Sequence, residues 1–372
     1  MKIGVPKEIK DQEGRVAVTP AGVQRLLAAG HQVNVQTDAG IAAGFSNAAY
    51  MQAGATLCAA CAAWSCDLVV KVKEPEASEY GYLAGQMVFT YFHLAGAPKA
   101  LTDALLVSKT TAIAYETLED SAGRLPLLAP MSAIAGNMAA QVGGFYLAKS
   151  QGGKGVQLGE VLAVKHGEVL VVGDGVVGFH AAKTAYGLGA KVSVAGLQAD
   201  KAELFKTKMG GDLDFFMSTP ERIAERLKTT DLLVGAVLRH GAKADDVITE
   251  AMVRTLEAGS VVVDVSIDQG GCVATSKPTS HSQPVFVRHG VIHYCVTNMP
   301  GAYPRTATLA LTQSTLPYLL QLANNDLSAL GGDAGFAKAV NTHQGVICYQ
   351  PVAEALGMMS NYRPLDAVFA GH

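Results

Sequence analysis

Charge is scarce in this chain, and balanced where it occurs. Only 16% of the 372 residues are Asp, Glu, Lys or Arg, and the formal net charge is −3. No basic run is present, which argues against a nucleic-acid surface built on clustered cations. Long apolar runs are missing too: although 49% of residues are hydrophobic, none of the runs approaches the roughly 18 residues of a membrane span. The opening Met1-Lys2-Ile3-Gly4-Val5-Pro6-Lys7-Glu8 has no secretory pattern and leads straight into a short strand and a charged loop. A cytoplasmic protein with no membrane or nucleic-acid partner is the expectation. Cysteine is sparse and scattered, and Cys58-x-x-Cys61 lacks the second pair that a zinc ribbon needs. With Ala59, Ala60, Ala62, Ala63 and Trp64 around them, these cysteines read as small hydrophobes buried in a helix, so no metal is expected. No repeat or low-complexity segment appears.

What is present centres on residues 169–178. The apolar run Val169-Leu170-Val171-Val172 reads as a buried strand, and it feeds Gly173-Asp174-Gly175-Val176-Val177-Gly178. In a dinucleotide fingerprint the first glycine allows a sharp turn, the second lets a pyrophosphate approach the main chain, and the third lets the helix pack on the sheet. Three glycines alone are a weak signal in a chain with 40 of them. Their context strengthens it: Ala181, Ala182, Ala185 and Leu188 follow at helical spacing, Gly189 stops the helix, and Lys191 to Ala195 reads as the next strand. The anion then sits on N–H groups at the helix N-terminus, where the helix dipole favours it.

One part of an NAD site is missing. An acidic residue about 20 residues on usually binds the ribose 2′-hydroxyl, but Ala195-Gly196-Leu197-Gln198 stands there, with no acid before Asp200. Gly196 leaves room for a 2′-phosphate that Lys191, Lys201 or Lys206 could approach; alternatively, Gln198 or the main chain holds the ribose. NAD is expected, with NADP open.

The length suits two domains with full cores, since single cores stop growing near roughly 250 to 300 residues. Residues 1–129 alternate strand and helix patterns. Strands are expected at Lys2–Val5, His31–Val35, Asp67–Lys73, Gln86–His93 and Thr111–Tyr115, and a helix begins at the Thr19-Pro20 cap. A long helix starts at Pro130, and strands continue at Phe215–Met217, Leu232–Val237, Val261–Val265, Val285–Val287 and Ile292–Val296. Helices are expected at Tyr303–Ala323, Phe336–Val340 and Val352–Leu356, returning to the first domain. The fold class is therefore α/β: two Rossmann-like domains, each a mainly parallel sheet with helices on both faces. The domains are 1–129 with 303–372 for substrate and 130–302 for NAD(P), with the active-site cleft between them.

Lys73, His93 and Tyr115 each fall at the carboxyl end of an apolar strand, the edge where open α/β sheets bind ligands. Arg15 lies in a charged loop after the first strand, and Asp268 lies in the polar, glycine-rich end of the strand run that begins at Val261. Arginine and lysine suit a substrate carboxylate, and His93 can shuttle a proton. Hydride transfer next to a carboxylate fits these groups, whether on a hydroxy acid or an amino acid. Tyr115 either packs or lines the pocket. His180, His240, His289 and His293 are not expected to be catalytic, and His293 has no obvious partner.

Several separated motifs together identify a resemblance: Ile3-Gly4-Val5-Pro6-Lys7-Glu8, Arg15-Val16-Ala17-Val18-Thr19-Pro20, Lys71-Val72-Lys73-Glu74-Pro75, His93-Leu94-Ala95, Ala129-Pro130-Met131-Ser132, Asp268-Gln269-Gly270-Gly271 and Asn298-Met299-Pro300-Gly301. The whole chain resembles the alanine dehydrogenase family, which is shared with the first domain of the proton-translocating nicotinamide nucleotide transhydrogenase. The resemblance implies reversible oxidative deamination of L-alanine to pyruvate and ammonia. It implies that Arg15 and Lys73 hold the carboxylate, with Met131 and Asn298 also at the substrate, and that His93 is the general acid/base. Asp268 would help position or activate the attacking water. Ser132, Ser218, Val237, Leu238, Ile267, Asn298 and Met299 would surround the cofactor, beside Asp268 and the fingerprint residues Gly173, Gly175, Val176, Val177 and Gly178. A homohexamer is also implied.

The departures cluster around the cofactor. Gly196 replaces the family's ribose-binding aspartate, Ala133 stands where a glutamate usually does, and Asn137 where arginine does. Asp174 puts a negative charge beside the pyrophosphate turn, unless its side chain points away. Three alternatives stay open: a dehydrogenase of another amino acid, a transhydrogenase-type nucleotide-binding subunit, and a regulator that has lost catalysis, the last motivated by Gly196 and Asp174.

Overall fold

The computed structural model describes residues 1–237, 247–330 and 332–369. The chain divides into two compact units, one formed by residues 1–131 and the chain from 301 onward, the other by residues 132–300. Both are α/β, with large, mainly parallel sheets flanked by helices.

The first unit begins with β1 (Lys2–Val5), β2 (Gln32–Gln36), β3 (Thr56–Cys58), β4 (Leu68–Val70), β5 (Met87–Thr90) and β6 (Thr111–Ala114). All pair in parallel, in the order β3-β2-β1-β4-β5-β6. The short strands β4, β5 and β6 are buried throughout, as runs of Val, Leu, Phe and Ala require in a sheet covered on both faces. The helix Pro20–Ala28 starts where its cap predicts, with the Thr19 hydroxyl accepting the Gly22 N–H. Trp64, Val69, Val88, Leu101, Leu105, Val352 and Ala353 share one core cluster, so residues from both ends of the chain fill it.

In the second unit β7 (Gly159–Val161) and β8 (Val164–His166) form a separate hairpin. The main sheet contains β9 (Glu168–Val172), β10 (Lys191–Gly196), β11 (Asp214–Met217), β12 (Leu232–Gly235), β13 (Val261–Asp264), β14 (Val285–Arg288) and β15 (Val291–Tyr294). Its order is β11-β10-β9-β12-β13-β15-β14, with only β14 antiparallel. The helix Val176–Leu188 packs on it through Ala181, Ala182 and Ala185, all fully buried. Small side chains let that helix lie close to the strands, and Gly189 ends it in a left-handed conformation (φ +96°).

The tail returns to the first unit as expected, but with more than helices. After the helix Pro304–Asn325 come β16 (Val340–His343) and β17 (Val346–Ile347), which extend the first sheet beyond β6 in antiparallel fashion. The helix expected at Phe336–Val340 is instead a single turn, Ala334–Ala337, followed by β16. Cys58 and Cys61 do not share a helix either: Cys58 closes β3, and Cys61 is exposed on the short helix Ala60–Trp64.

Candidate functional site

The first sheet reverses its strand order between β1 and β4, which are neighbours although two strands separate them in sequence. Ligands bind outside the carboxyl ends of strands at such a point. The segments leaving these two strands carry Arg15 and Lys73. Arg15 is buried, and Glu13 holds it through both carboxylate oxygens, with Nε to Oε1 at 2.7 Å. Burial works against the guanidinium charge, but Glu13 outweighs it and keeps Arg15 protonated. Its Nη1 meets the thioether of Met131, a weak acceptor, at 3.1 Å. Glu8, also buried, accepts the N–H groups of Val72 at 2.6 Å and Lys73 at 3.4 Å, tying the exit of β1 to that of β4. Lys71 lies between Glu8 (3.3 Å) and Glu79 (3.1 Å). Burial pushes the Glu8 carboxyl up despite Lys71. A cavity of about 400 Å³ opens beside these groups, lined by Lys7, Glu8, Glu13, Arg15 and Asp38 among others.

The next strand along delivers His93. Its backbone is left-handed (φ +48°), an uncommon state for a residue with a side chain, and its ring is exposed. Glu116 clamps this turn, accepting the N–H groups of Phe92 at 3.2 Å and His93 at 2.6 Å. The imidazole stacks on Tyr91 (5.8 Å, 10°), and Tyr91 meets Tyr115 edge-on at 4.9 Å and lies within electrostatic reach of Arg15. Tyr91 thus links three of the expected site residues. Tyr115 is fully buried, and its hydroxyl has no hydrogen-bond partner among the described residues. Glu8, Glu13 and Glu116 were not anticipated from sequence. The first two sit inside or between recognisable motifs, but nothing in the pattern shows which carboxylate supports which turn.

In the second unit the order reverses between β9 and β12, the arrangement of a dinucleotide-binding sheet. The three glycines differ physically. Gly173 has φ +121°, and a Cβ on it would lie 2.2 Å from the Ala236 carbonyl oxygen. A Cβ on Gly178 would lie 1.9 Å from the Gly173 carbonyl oxygen, so this glycine seats the helix on the turn. A Cβ on Gly175 would meet nothing within 4 Å. That open space borders the first turn of the helix, which begins at Val176 and Val177 with no side-chain cap. Its N–H groups suit a phosphate. The cradle fits a dinucleotide.

Asp174 turns away from that cradle. Its Oδ2 accepts the N–H groups of Leu197 and Gln198, both at 3.0 Å, just past the end of β10. Lys201 donates to the Asp174 carbonyl oxygen at 3.0 Å and lies 3.5 Å from Oδ1. A Cβ on Gly196 would come within 2.8 Å of Asp174 Oδ2 and 2.3 Å of the Phe215 ring. Ser218 follows β11, its N–H bonded to the Gly196 carbonyl at 2.8 Å. Asn137 accepts a hydrogen bond from the Thr184 hydroxyl at 2.9 Å.

Asp268 lies exposed in the one-turn 3-10 helix Val265–Gln269, its Oδ1 accepting the N–H of Asn298 at 3.3 Å. Asn298 is itself left-handed (φ +59°). The loop is built on Asp264, which is buried and accepts the N–H groups of Ser266 (3.1 Å), Cys272 (3.0 Å) and Val273 (3.2 Å). Burial pushes its carboxyl up against those donors. Ile267 and Met299 are buried, Ser132 and Val237 are partly exposed, and Ser266 donates to the Val237 carbonyl at 2.7 Å. Leu238 and His240 fall outside the described residues. His293 has partners after all: Thr275 Oγ1 at Nε2 (2.7 Å) and the Val291 carbonyl at Nδ1 (3.0 Å). Among the described residues no group of His, Cys, Asp and Glu could hold a metal ion, and no helix is long and apolar enough to cross a membrane.

Residues 4–135 match the family described as alanine dehydrogenase/PNT, N-terminal domain, and residues 139–350 match its C-terminal domain. An alanine dehydrogenase of Lysinibacillus sphaericus is 50% identical over 364 residues, covering 96% of this chain and 97% of that protein. A solved L-alanine dehydrogenase superposes with a TM-score of 0.92 at 47% identity, covering 96% of this chain and 99% of the other. A transhydrogenase of Sinorhizobium meliloti shares the fold, with a TM-score of 0.80 at 22% identity over 94% and 99% of the two chains. With both domain families in order along it, the chain belongs to the alanine dehydrogenase/PNT family.

Proposed function

We propose that the chain is an L-alanine dehydrogenase, converting L-alanine reversibly to pyruvate and ammonia with a nicotinamide cofactor. The observation that carries this reading is the strand-order reversal of the first sheet, flanked by Arg15 and Lys73, with the His93 turn leaving the adjacent β5. Two cations suit a small carboxylate, and an exposed imidazole suits proton transfer. The curated relatives named alanine dehydrogenase, matched over almost the whole chain, support the choice of amino acid.

Arg15, oriented by Glu13, holds the substrate carboxylate through its guanidinium, while Lys73 adds a second positive charge. Tyr115, Met131 and Asn298 complete the substrate-binding residues. A bound nicotinamide would supply the acceptor for the α-hydrogen of alanine as hydride, and the amine lone pair then forms the C=N bond, which leaves the protonated imine of pyruvate. His93 removes a proton from water as its oxygen adds to the imine carbon, gives that proton to the amino nitrogen so that ammonia leaves, and takes up the hydroxyl proton as the ketone forms. Asp268 helps position or activate that water.

Residues 132–300 hold the cofactor. Gly173, Gly175, Val176, Val177 and Gly178 bind the pyrophosphate, and Ser132, Lys201, Ser218, Val237, Leu238, Ile267, Asp268, Asn298 and Met299 surround the rest, with Gly196 at the ribose end. Gly175 offers the open space, and the uncapped helix the donors. NAD is the cofactor, the assembly a homohexamer and the location the cytoplasm.

The test is the initial rate with L-alanine against NAD and NADP separately, followed at the reduced-nicotinamide absorbance, with particle mass measured on the same sample. Turnover with NAD by a particle six times the chain mass is expected. No turnover with either cofactor overturns the dehydrogenase reading in favour of a binding-only relative; turnover only with another amino acid reassigns the substrate.

A further inference from the structure

The geometry points to Asp174 as the residue that holds the adenosine ribose and sets the choice of NAD over NADP, from a position on the glycine-rich turn instead of the end of the second strand. This inference rests on the reading of the second unit as a nicotinamide dinucleotide site. In such sites a carboxylate at the end of the second strand accepts the ribose 2′-hydroxyl. The second strand here is β10, and it ends in Gly196, which has no side chain. Yet a carboxylate is present at that place. Asp174 Oδ2 lies 3.0 Å from the N–H groups of both Leu197 and Gln198, and only 2.8 Å from where a Cβ of residue 196 would be.

The two departures from the common pattern are therefore one exchange. A side chain at 196 and the carboxylate of Asp174 compete for the same volume, so the acid gained on the turn requires the glycine on the strand. The two backbone donors fix Oδ2, while Oδ1 keeps lone pairs for a hydroxyl donor. A 2′-phosphate would meet that negative charge at close range. Lys201 donates to the Asp174 carbonyl oxygen and pairs with its carboxylate at 3.5 Å, so its charge is already engaged by the same residue.

The test is the dissociation constant of NADH and of NADPH, read from nicotinamide fluorescence, for the wild type, Asp174→Asn and the exchange variant Asp174→Ala/Gly196→Asp, with melting curves for each. Asparagine still accepts the two backbone N–H groups, so it preserves the turn while removing the charge. Wild type is expected to favour NADH. Asp174→Asn should lower the NADH-to-NADPH preference about tenfold or more, the worth of one hydrogen bond to a charged group. The exchange variant, in which the half-buried Phe215 ring must swing aside, should regain NADH preference. A preference that does not move in Asp174→Asn, a wild type that favours NADPH, or a folded exchange variant that does not regain selectivity overturns the assignment. Equal weakening of both nucleotides also overturns it, because that is the signature of a purely structural Asp174. Binding of neither nucleotide by wild type would instead overturn the dehydrogenase reading on which the assignment stands.

Discussion

Glu116 reaches back from the residue after Tyr115 to accept the N–H groups of both Phe92 and His93, at 3.2 and 2.6 Å. The left-handed turn that presents the imidazole is thus held by a carboxylate from the neighbouring strand's exit. His93→Ala should lower kcat by about 10²-fold or more, as loss of a general acid/base does, with cofactor binding nearly unchanged. Glu116→Ala should lower kcat about tenfold by letting the turn relax toward less strained backbone. Because Glu116 acts through His93, the double variant should be no slower than His93→Ala alone. Additive losses in steady-state kinetics would show that Glu116 has a separate role.

The fingerprint glycines should respond differently to the same small change. Gly175→Ala places its methyl in open space, at ordinary extended dihedrals (φ −79°, ψ −167°), so the melting temperature should hold. That methyl occupies the approach of a pyrophosphate, so NADH affinity should fall about tenfold or more. Gly178→Ala forces a Cβ to 1.9 Å from a backbone oxygen and should destabilise the fold by about 1–3 kcal/mol as well. Calorimetry and nucleotide titration on both variants separate the two effects.

Restoring the missing aspartate alone should not help. From sequence, Gly196→Asp is expected to favour NAD; the structure reverses that expectation, because the new Cβ meets the Phe215 ring at 2.3 Å and a carboxylate already in place at 2.8 Å. The single variant should bind NADH more weakly than wild type and melt lower, by about 1–3 kcal/mol of overpacking. Tighter NADH binding by the single variant would contradict the geometry.

Acid should weaken the second unit through His293. Its ring is fully buried, with Nδ1 donating to the Val291 carbonyl and Nε2 accepting from the Thr275 hydroxyl, which fits the neutral form. Burial lowers its pKa, with Arg288 and His289 adding to the effect and the Val291 carbonyl opposing it. The unfolded chain therefore binds the extra proton more readily. Stability from this group is complete above about pH 6.5 and falls as pH drops toward the lowered folded value. Melting temperatures between about pH 7.5 and about pH 5 should show that loss, and His293→Gln should flatten it.

The sequence made legible whatever is local and periodic. The apolar runs of β9 and β12, the Thr19 cap and the alanine face of Val176–Leu188 each specify their element from neighbouring residues alone. Arg15, Lys73, His93 and Asp268 were legible as polar punctuation at strand ends. What escaped depends on distant partners. Val340-Asn341-Thr342-His343 has no apolar alternation, and becomes a strand because β6 offers it an edge and because Asn341 can donate to Thr117 and the Ala339 carbonyl. The direction of Asp174 depends on the turn at Gly173 and on the empty volume at Gly196, neither of which a linear pattern displays. The support given by Glu8 and Glu116 likewise spans 64 and 23 residues.

That late strand also bears on how the chain reaches its fold. β6 pairs with a segment some 230 positions further on, Ala112 N–H donating to the Thr342 hydroxyl and Thr342 in turn to the Thr110 carbonyl. Until β16 has been synthesised and has found it, β6 is an uncovered, mostly apolar edge of the kind that recruits other chains. Residues 132–300 have no such debt and can close while the first sheet still waits. Translation interrupted after residue 300 but before β16 should therefore leave a half-sheet prone to aggregation beside a second unit whose chain is complete.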